Sequence, residues 1–362
     1  MREQKRIQVG TVLEVEIVDI AFGGEGVARH KGRVIFVPYV LVGERALVQV
    51  TQDRKNFYRG IVLELLETSS AREKPHCAYF GVCGGCNYQH MSYAEELRVK
   101  EKQLRDVLQK IGGIENPRIR PFIRGESAYG YRNRISVHTQ RGKIGYHGKD
   151  SRDVIDIDQC AIASKEVNLK LTELRQRRGS MREHYSLRAT DIPHAAFFQA
   201  NRFLLEPLRK LVREAVDHRL RSIVEGYAGV GFFSEVIEQE VEFIISIESD
   251  KRAVDEAQKS LSSRTRLIEG DFADHLKRAY EWCEAEPVGL LIDPPREGLS
   301  KDVVDQISTL DFEQIIYLSC NPSTLARDLK RLSPKWKADA FQPVDMFPRT
   351  AHIECLAVLV RS

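Results

Sequence analysis

The sequence predicts an α/β protein in three parts: a small N-terminal β-barrel, a β-rich middle with a cysteine-bearing turn, and an open α/β sheet that runs to the C-terminus. Three observations predict this. Val9 to Leu66 alternates apolar and polar residues between glycine-rich turns, as short barrel strands do. A capped helical pattern then separates two stretches of different composition. From Ser222 onward, short apolar runs that end in glycine or an acid alternate with helical periodicity, the pattern of a βαβ series. At 362 residues the chain exceeds one domain of roughly 100–200 residues, and the expected divisions are 1–67, 73–195 and 196–362.

In the first part, Thr11-Val-Leu-Glu-Val-Glu-Ile-Val18 and Ala46-Leu-Val-Gln-Val50 carry the alternation, and Gly23-Gly24-Glu25-Gly26 is a turn. Phe22-Gly-Gly-Glu-Gly-Val-Ala-Arg29 followed by Val34-Ile-Phe-Val-Pro38 resembles the TRAM domain, an OB-like RNA-binding barrel, and that resemblance implies an RNA partner. Seams are expected at Ser69-Ser70-Ala71-Arg72 and before Phe197. Ser92 with Glu95 reads as a capping box that opens a helix to Ile111, where Gly112-Gly113 stops it; this helix is expected to pack on the catalytic domain. Short strands with basic turns follow from Tyr131 to Ile162. A second helix is expected from Arg202 to His218, leading into the βαβ series.

The formal net charge of +3 excludes nothing, but its distribution is informative. Between Lys102 and Arg152 the cations Lys102, Arg105, Lys110, Arg118, Arg120, Arg124, Arg132, Arg134, Arg141, Lys143, Lys149 and Arg152 greatly outnumber Asp106, Glu115, Glu126 and Asp150, and Tyr129, Tyr131 and Tyr146 are interleaved. Cations for phosphates beside aromatic faces for bases suit RNA; a solvated face over core tyrosines is the plainer reading. No stretch approaches the roughly 18 apolar residues of a membrane span, and Met1 to Arg6 precedes no apolar run. A cytoplasmic monomer with no membrane and no obligate protein partner is expected.

Seven cysteines in such a chain point to metal ligands or nucleophiles rather than disulfides. Cys77-x5-Cys83-Gly-Gly-Cys86 with Cys160 far downstream is a three-plus-one spacing, which suits zinc or an iron–sulfur cluster. Zinc sites come more often as paired CxxC motifs, so the single fourth ligand leans to a cluster. The arrangement resembles the [4Fe-4S] cysteines of the RNA 5-methyluridine methyltransferases, with all four family positions occupied.

Ser222-Ile-Val-Glu-Gly-Tyr-Ala-Gly-Val-Gly-Phe-Phe-Ser234 reads as strand, glycine turn and helix, with Ser234 where a dinucleotide fingerprint has its third glycine. Strand ends follow at Glu248, at Glu269-Gly-Asp271 and at Asp293-Pro294-Pro295-Arg296. This series resembles the motifs of Rossmann-like methyltransferases and implies S-adenosyl-L-methionine. Phe197-Phe-Gln-Ala-Asn201 resembles the family's FFQ-x-N segment, which assigns a cofactor contact to Gln199; the other contacts fall on Tyr227, Glu248 and Asp293. Glu225 and Ala228 stand where the family has Asp and Cys, which puts a contact by Glu225 in doubt. Phe232 stands where a polar residue is common.

Methylating uracil C5 needs a thiolate that adds to C6 and a base that removes the C5 proton. Tyr317-Leu-Ser-Cys-Asn-Pro322 sets Cys320 just past an apolar strand, at the edge where ligands sit in open α/β sheets. Thr350-Ala-His-Ile-Glu354 sets Glu354 at the mouth of another, and Cys355 is expected to point the other way, into the core. The two segments resemble the signature pair of the 5-methyluridine family, which makes Cys320 the nucleophile and Glu354 the base. His352 reads as structural, Arg296 and Arg349 as phosphate contacts or surface ion pairs, and Cys283 as a bystander. The Asp-Pro-Pro-Arg motif lacks the cysteine of 5-methylcytosine enzymes and the aromatic residue of exocyclic-amine methyltransferases. A non-catalytic RNA-binding iron–sulfur protein would lack Cys320 or Glu354. Family members that combine barrel and cluster act mostly on ribosomal RNA, so 23S rRNA is the expected target, with the tRNA T-loop uridine as the alternative.

Overall fold

The computed structural model describes residues 7–149, 151–177, 182–190, 199–283 and 285–362; Phe197 and Phe198 of the FFQ-x-N segment lie outside them. Strands β1 (Val12–Ile20), β2 (Glu25–His30), β3 (Arg33–Pro38), β4 (Arg45–Asp53) and β5 (Phe57–Glu67) close a barrel in the order β1-β2-β3-β5-β4. The alternation does what it predicts: Val15 and Ile17 are buried while Glu14 and Glu16 face out. Gly26 is required where the wall closes, because a Cβ there would lie 2.2 Å from a Val40 methyl.

Helix α1 (Tyr93–Lys110) follows. Ser92 caps it by accepting from Glu95 N at 3.2 Å, but only half of the expected capping box forms. The Glu95 carboxylate turns outward to Arg98, and Ser92 N donates to Ala71 O instead. Val99 joins the barrel core with Tyr88 and Met91, whereas Leu104, Val107 and Leu108 join the core of the large sheet. One helix thus seals both units.

The middle part is a four-stranded sheet, order β8-β7-β6-β9, from β6 (Arg134–Gln140), β7 (Lys143–His147), β8 (Val154–Asp156) and β9 (His184–Arg188). Helix α2 (Lys165–Gln176) covers it with Val167, Leu171 and Leu174.

The C-terminal part comprises α3 (Leu205–Ala215), β10 (Ser222–Gly226), α4 (Ser234–Ile237), β11 (Phe243–Glu248), α5 (Lys251–Ala257), β12 (Thr265–Glu269), α6 (Phe272–Glu281), β13 (Val288–Ile292), α7 (Lys301–Thr309), β14 (Gln314–Ser319), α8 (Pro322–Leu332), β15 (Trp336–Val344) and β16 (Glu354–Arg361). The seven-stranded sheet runs β12-β11-β10-β13-β14-β16-β15. Its β10, β13 and β14 are buried along their whole length, as central parallel strands must be.

Two expectations are corrected. The second helix is α3, shorter than 202–218 at both ends: Asn201 Oδ1 accepts from Phe203 N, holding a turn before the helix, and Val216 is already extended. The βαβ series runs only as far as β15, which is parallel to β14, because β16 turns back and inserts antiparallel between them. Among the described residues no helix is long and apolar enough to cross a membrane.

Candidate active site

Parallel strands β10, β13 and β14 end together, with Gly226 opposite Ile292 and Ile292 opposite Tyr317. The next residues therefore share the carboxyl edge of the sheet. They include Tyr227 after β10, Asp293 after β13 and Cys320 after β14. Antiparallel β16 begins at that same edge: Ser319 faces Cys355, so Cys320 and Glu354 follow at the next step of the register. Cys355 points into the core and is fully buried, as expected. Asn321 caps α8 by accepting from Ser323 N at 3.1 Å, which turns the chain sharply after Cys320.

The electrostatics of this edge are set by enclosed carboxyls. Burial, then the neighbouring Glu225, pushes Asp293 up to about 7. Burial, then Asp293, holds Glu354 well above the ordinary carboxyl range. Glu354 is 3% exposed, and its Oε1 has no hydrogen-bond partner. The Cys320 thiol is pushed up to about 12 by burial first and then by Glu354 and Asp293, with Arg296 acting in the opposite direction. Arg296 itself meets His352, Nη2 to Nε2 at 3.1 Å. Burial and the cations Arg296, Arg132 and Lys100 lower His352 to about 4, so at neutral pH it is an uncharged acceptor.

The expected cofactor contacts converge on the same edge. Gln199 Nε2 donates to Asp293 Oδ2 at 3.3 Å. Glu248 is held at the end of β11 by Gly229 N on Oε2 at 2.8 Å and Asp250 N on Oε1 at 2.7 Å. Tyr227 takes a left-handed φ of 62° and leans on Phe272. Asp271 is occupied in capping α6, where it accepts from Ala273 N. Glu225 turns inward: its Oε2 accepts from the hydroxyls of Ser234 and Ser246, while its Oε1 is buried without a partner. Burial raises it to about 7.

Cys77, Cys83, Cys86 and Cys160 all line one pocket, together with Tyr146 and Arg132. Burial, with their mutual proximity, pushes Cys83 up to about 11 and Cys86 up to about 12. Gly85 N donates to Cys83 Sγ at 3.4 Å, and the Tyr146 hydroxyl donates to Cys160 Sγ at 3.8 Å. Among the described residues, no group of three or more His, Cys, Asp or Glu is drawn together closely enough to hold a metal ion. The thiols share a pocket without closing on one point.

The structure also shows what sequence reasoning missed. Fully buried Lys100 bridges Glu96 and Asp345, each at 2.7 Å, and donates to Phe347 O. Tyr93 donates to Asp345 Oδ2 at 2.8 Å. Arg349 completes this network rather than meeting a phosphate: it is 5% exposed, lies 3.5 Å from Glu96 and donates to Met91 O. These contacts pin the segment that leads into Glu354 to α1. The spacing of Glu96 and Lys100, four apart on one helix, was the available signal, but it also fits an exposed pair.

The tRNA (uracil-5-)-methyltransferase family matches residues 277–362, and the TRAM domain matches residues 6–63. An uncharacterized RNA methyltransferase of Bdellovibrio bacteriovorus is 29% identical over 387 residues, covering 99% of this chain and 97% of that one. Another, from Synechocystis, is 27% identical over 446 residues, covering 97% and 96%. The crystal structure of Pyrococcus abyssi tRNA (uracil-54, C5)-methyltransferase, in complex with S-adenosyl-L-homocysteine, superposes with a TM-score of 0.70 at 21% identity, covering 96% of this chain and all of that one. The Rossmann-like fold and the barrel are thus shared with that structure along the chain, which is similar over its whole length to RNA methyltransferases, over residues 277–362 to the tRNA (uracil-5-)-methyltransferase family and over residues 6–63 to the TRAM domain.

Proposed function

We propose that this RNA methyltransferase methylates C5 of a uridine through a transient bond between Cys320 and C6, with Glu354 removing the C5 proton. The observation that carries the reading is the β14–β16 register, which sets Cys320 and Glu354 one step beyond Ser319 and Cys355 at the edge that also holds Asp293. The edge suits a cationic cofactor. Asp293, Glu225 and Glu354 are carboxyls whose ionisation is held back by burial, and Glu225 and Glu354 each keep an unpaired oxygen. S-adenosyl-L-methionine, held by Gln199, Tyr227, Glu248 and Asp293, supplies the methyl group when bound.

The remaining chemistry belongs to this chain. Cys320, partly exposed, gives up its thiol proton to solvent; the thiolate forms the S–C6 bond, and the C5=C6 electron pair moves to make C5 nucleophilic. Once C5 carries the methyl, Glu354, in the carboxylate form that binding of the cationic cofactor favours, accepts the C5 proton. The electron pair left behind restores the double bond and expels the thiolate.

The four cysteine thiols suit a [4Fe-4S] cluster with a folding and RNA-positioning role. The four thiols line one pocket, and Gly85 N and the Tyr146 hydroxyl donate to its sulfurs. The barrel and the basic middle part are the proposed RNA surface. For the target we favour 23S rRNA, because the cysteine-bearing turn joined to a barrel resembles the ribosomal branch of the family. The T-loop uridine of tRNA is the second reading, favoured by the description of the family that matches. Mass mapping of 5-methyluridine in ribosomal and transfer RNA from a deletion strain tests both: loss from neither RNA overturns the proposal.

A further inference from the structure

Arg132 is a cation in an unusual place. It lines the pocket of Cys77, Cys83, Cys86 and Cys160. Its backbone is fixed there by Arg132 N on Ile162 O and by Ser164 N on Arg132 O, both at 2.8 Å. Its Nε is shut off from solvent and has no hydrogen-bond partner. Among the described residues no carboxylate pairs with it; the one aromatic contact is with the Phe347 ring, 5.8 Å away. The ionisable groups that line the pocket with it are thiols and phenols: Cys77, Cys83, Cys86, Cys160, Tyr79 and Tyr146.

An arginine stays charged at any ordinary pH, so a half-buried guanidinium whose Nε is shut off without a partner favours an anion beside it. The pocket lining contains no carboxylate, whereas four thiolates around a metal centre would carry net negative charge. We infer that Arg132 is the counter-cation of the thiolate-bound centre in this pocket, holding that centre by charge rather than by ligation. The inference rests on the reading of the four cysteines as ligands of an iron–sulfur cluster, and the test separates the two.

The full chain is purified anaerobically as wild type, Arg132→Lys and Arg132→Gln. Iron and sulfide per chain are measured, then the half-time of bleaching under an iron chelator. Loss of an outer-sphere partner weakens a metal site about 10–100-fold, so Arg132→Gln should bleach at least about tenfold faster, and Arg132→Lys should restore much of the difference. An Arg132→Gln protein with wild-type iron content and half-time overturns the inference. Zinc without iron or sulfide in the wild type overturns the cluster reading but keeps Arg132 on trial, with zinc release as the readout. Absence of any metal overturns both.

A second measurement covers the case in which Arg132→Gln is simply less stable. With Cys77, Cys83, Cys86 and Cys160 all changed to serine, the anion is gone and Arg132 becomes an uncompensated charge. Arg132→Gln should then raise the melting temperature. A fall in that background would mean that Arg132 holds the fold by its shape, and the inference would fail.

Discussion

Ser319 and Cys355 face each other across β14 and β16, one in the last position of a parallel strand and the other in the second position of an antiparallel one. The reversal matters. In a purely parallel sheet each strand brings only its carboxyl end to the ligand edge. Inserting β16 antiparallel delivers the start of a strand to that edge, so Cys320, one residue past β14, and Glu354, the first residue of β16 and about 34 positions later in sequence, are brought to the end of one rigid ladder, where Asp293 follows β13. Cys355, one residue on, is consumed by the core.

Cofactor affinity should depend on pH through Asp293. Burial, then Glu225, raises its carboxyl to about 7, so below that pH the free protein holds a proton there. A cationic sulfonium favours the ionised form. Affinity should therefore climb as pH rises through about 7 and level off above it, and Asp293→Asn should flatten the profile. Gln199→Ala, which removes the 3.3 Å donor to Asp293, should cost about 1–3 kcal/mol of binding while leaving RNA affinity intact. Calorimetry between about pH 6 and 8 decides; a flat wild-type profile would count against this role.

The unliganded fold has the opposite pH trend at the same residue. A carboxyl raised on folding contributes stability in full below its ordinary range, and that contribution is lost as pH rises through about 7. Asp293→Asn should thus stabilise the empty protein more at pH 8 than at pH 5, which paired thermal melts would detect.

Lys100 should be far costlier to lose than any surface lysine. With its side chain fully enclosed between Glu96 and Asp345, Lys100→Met strands buried carboxylates, and breaking such a pair costs about 3–5 kcal/mol. Lys102, on Asp19 and Asp106 at half exposure, should cost under about 1 kcal/mol when changed to alanine. Denaturant melts of the two variants compare them directly; equal losses would refute the contrast.

How much of this is legible in the sequence varies with range. The barrel follows from strict alternation in β1 and β4, and the edge residues from the order of glycine turn, acids and Cys320. These are local patterns. The burial of Arg349 is not local: nothing near it in sequence announces that Glu96, from a helix some 250 residues earlier, will enclose it. The same holds for Arg132, whose isolation is a property of the pocket. The direction of β16 is hidden too, because its apolar run looks the same either way.

RNA affinity should fall steeply with salt, since cation–phosphate pairing releases counterions. Deleting residues 1–66 is a poor test: Tyr88, Met91 and Val99 are part of the barrel core and would be left bare. Charge reversal at exposed Arg29 and Lys31 on the barrel leaves that core alone. Each cation taken off a phosphate should lower the slope of log affinity against log salt by about 0.7–0.9. Filter binding that shows no change would remove this face of the barrel from the RNA surface.

Cys320→Ala and Glu354→Gln should both stop turnover yet leave different species behind. Without the thiol, C6 is never attacked and no covalent complex can form. With Glu354→Gln the thiolate still adds and the methyl still transfers, since neither step calls for a base at C5. The C5 proton then has no acceptor, because the Glu354 site is buried and shielded from water, and elimination stalls with methylated RNA bonded to Cys320. Losing a general base typically slows a step about a hundred- to ten-thousand-fold, enough for the adduct to survive denaturation. Each variant is incubated with target RNA and methyl-labelled S-adenosylmethionine and run on a denaturing gel. Glu354→Gln should give a labelled band of lower mobility, and Cys320→Ala and the double variant none. Normal turnover by Glu354→Gln, or a shifted band that persists without Cys320, would show that these two residues do not divide the chemistry this way.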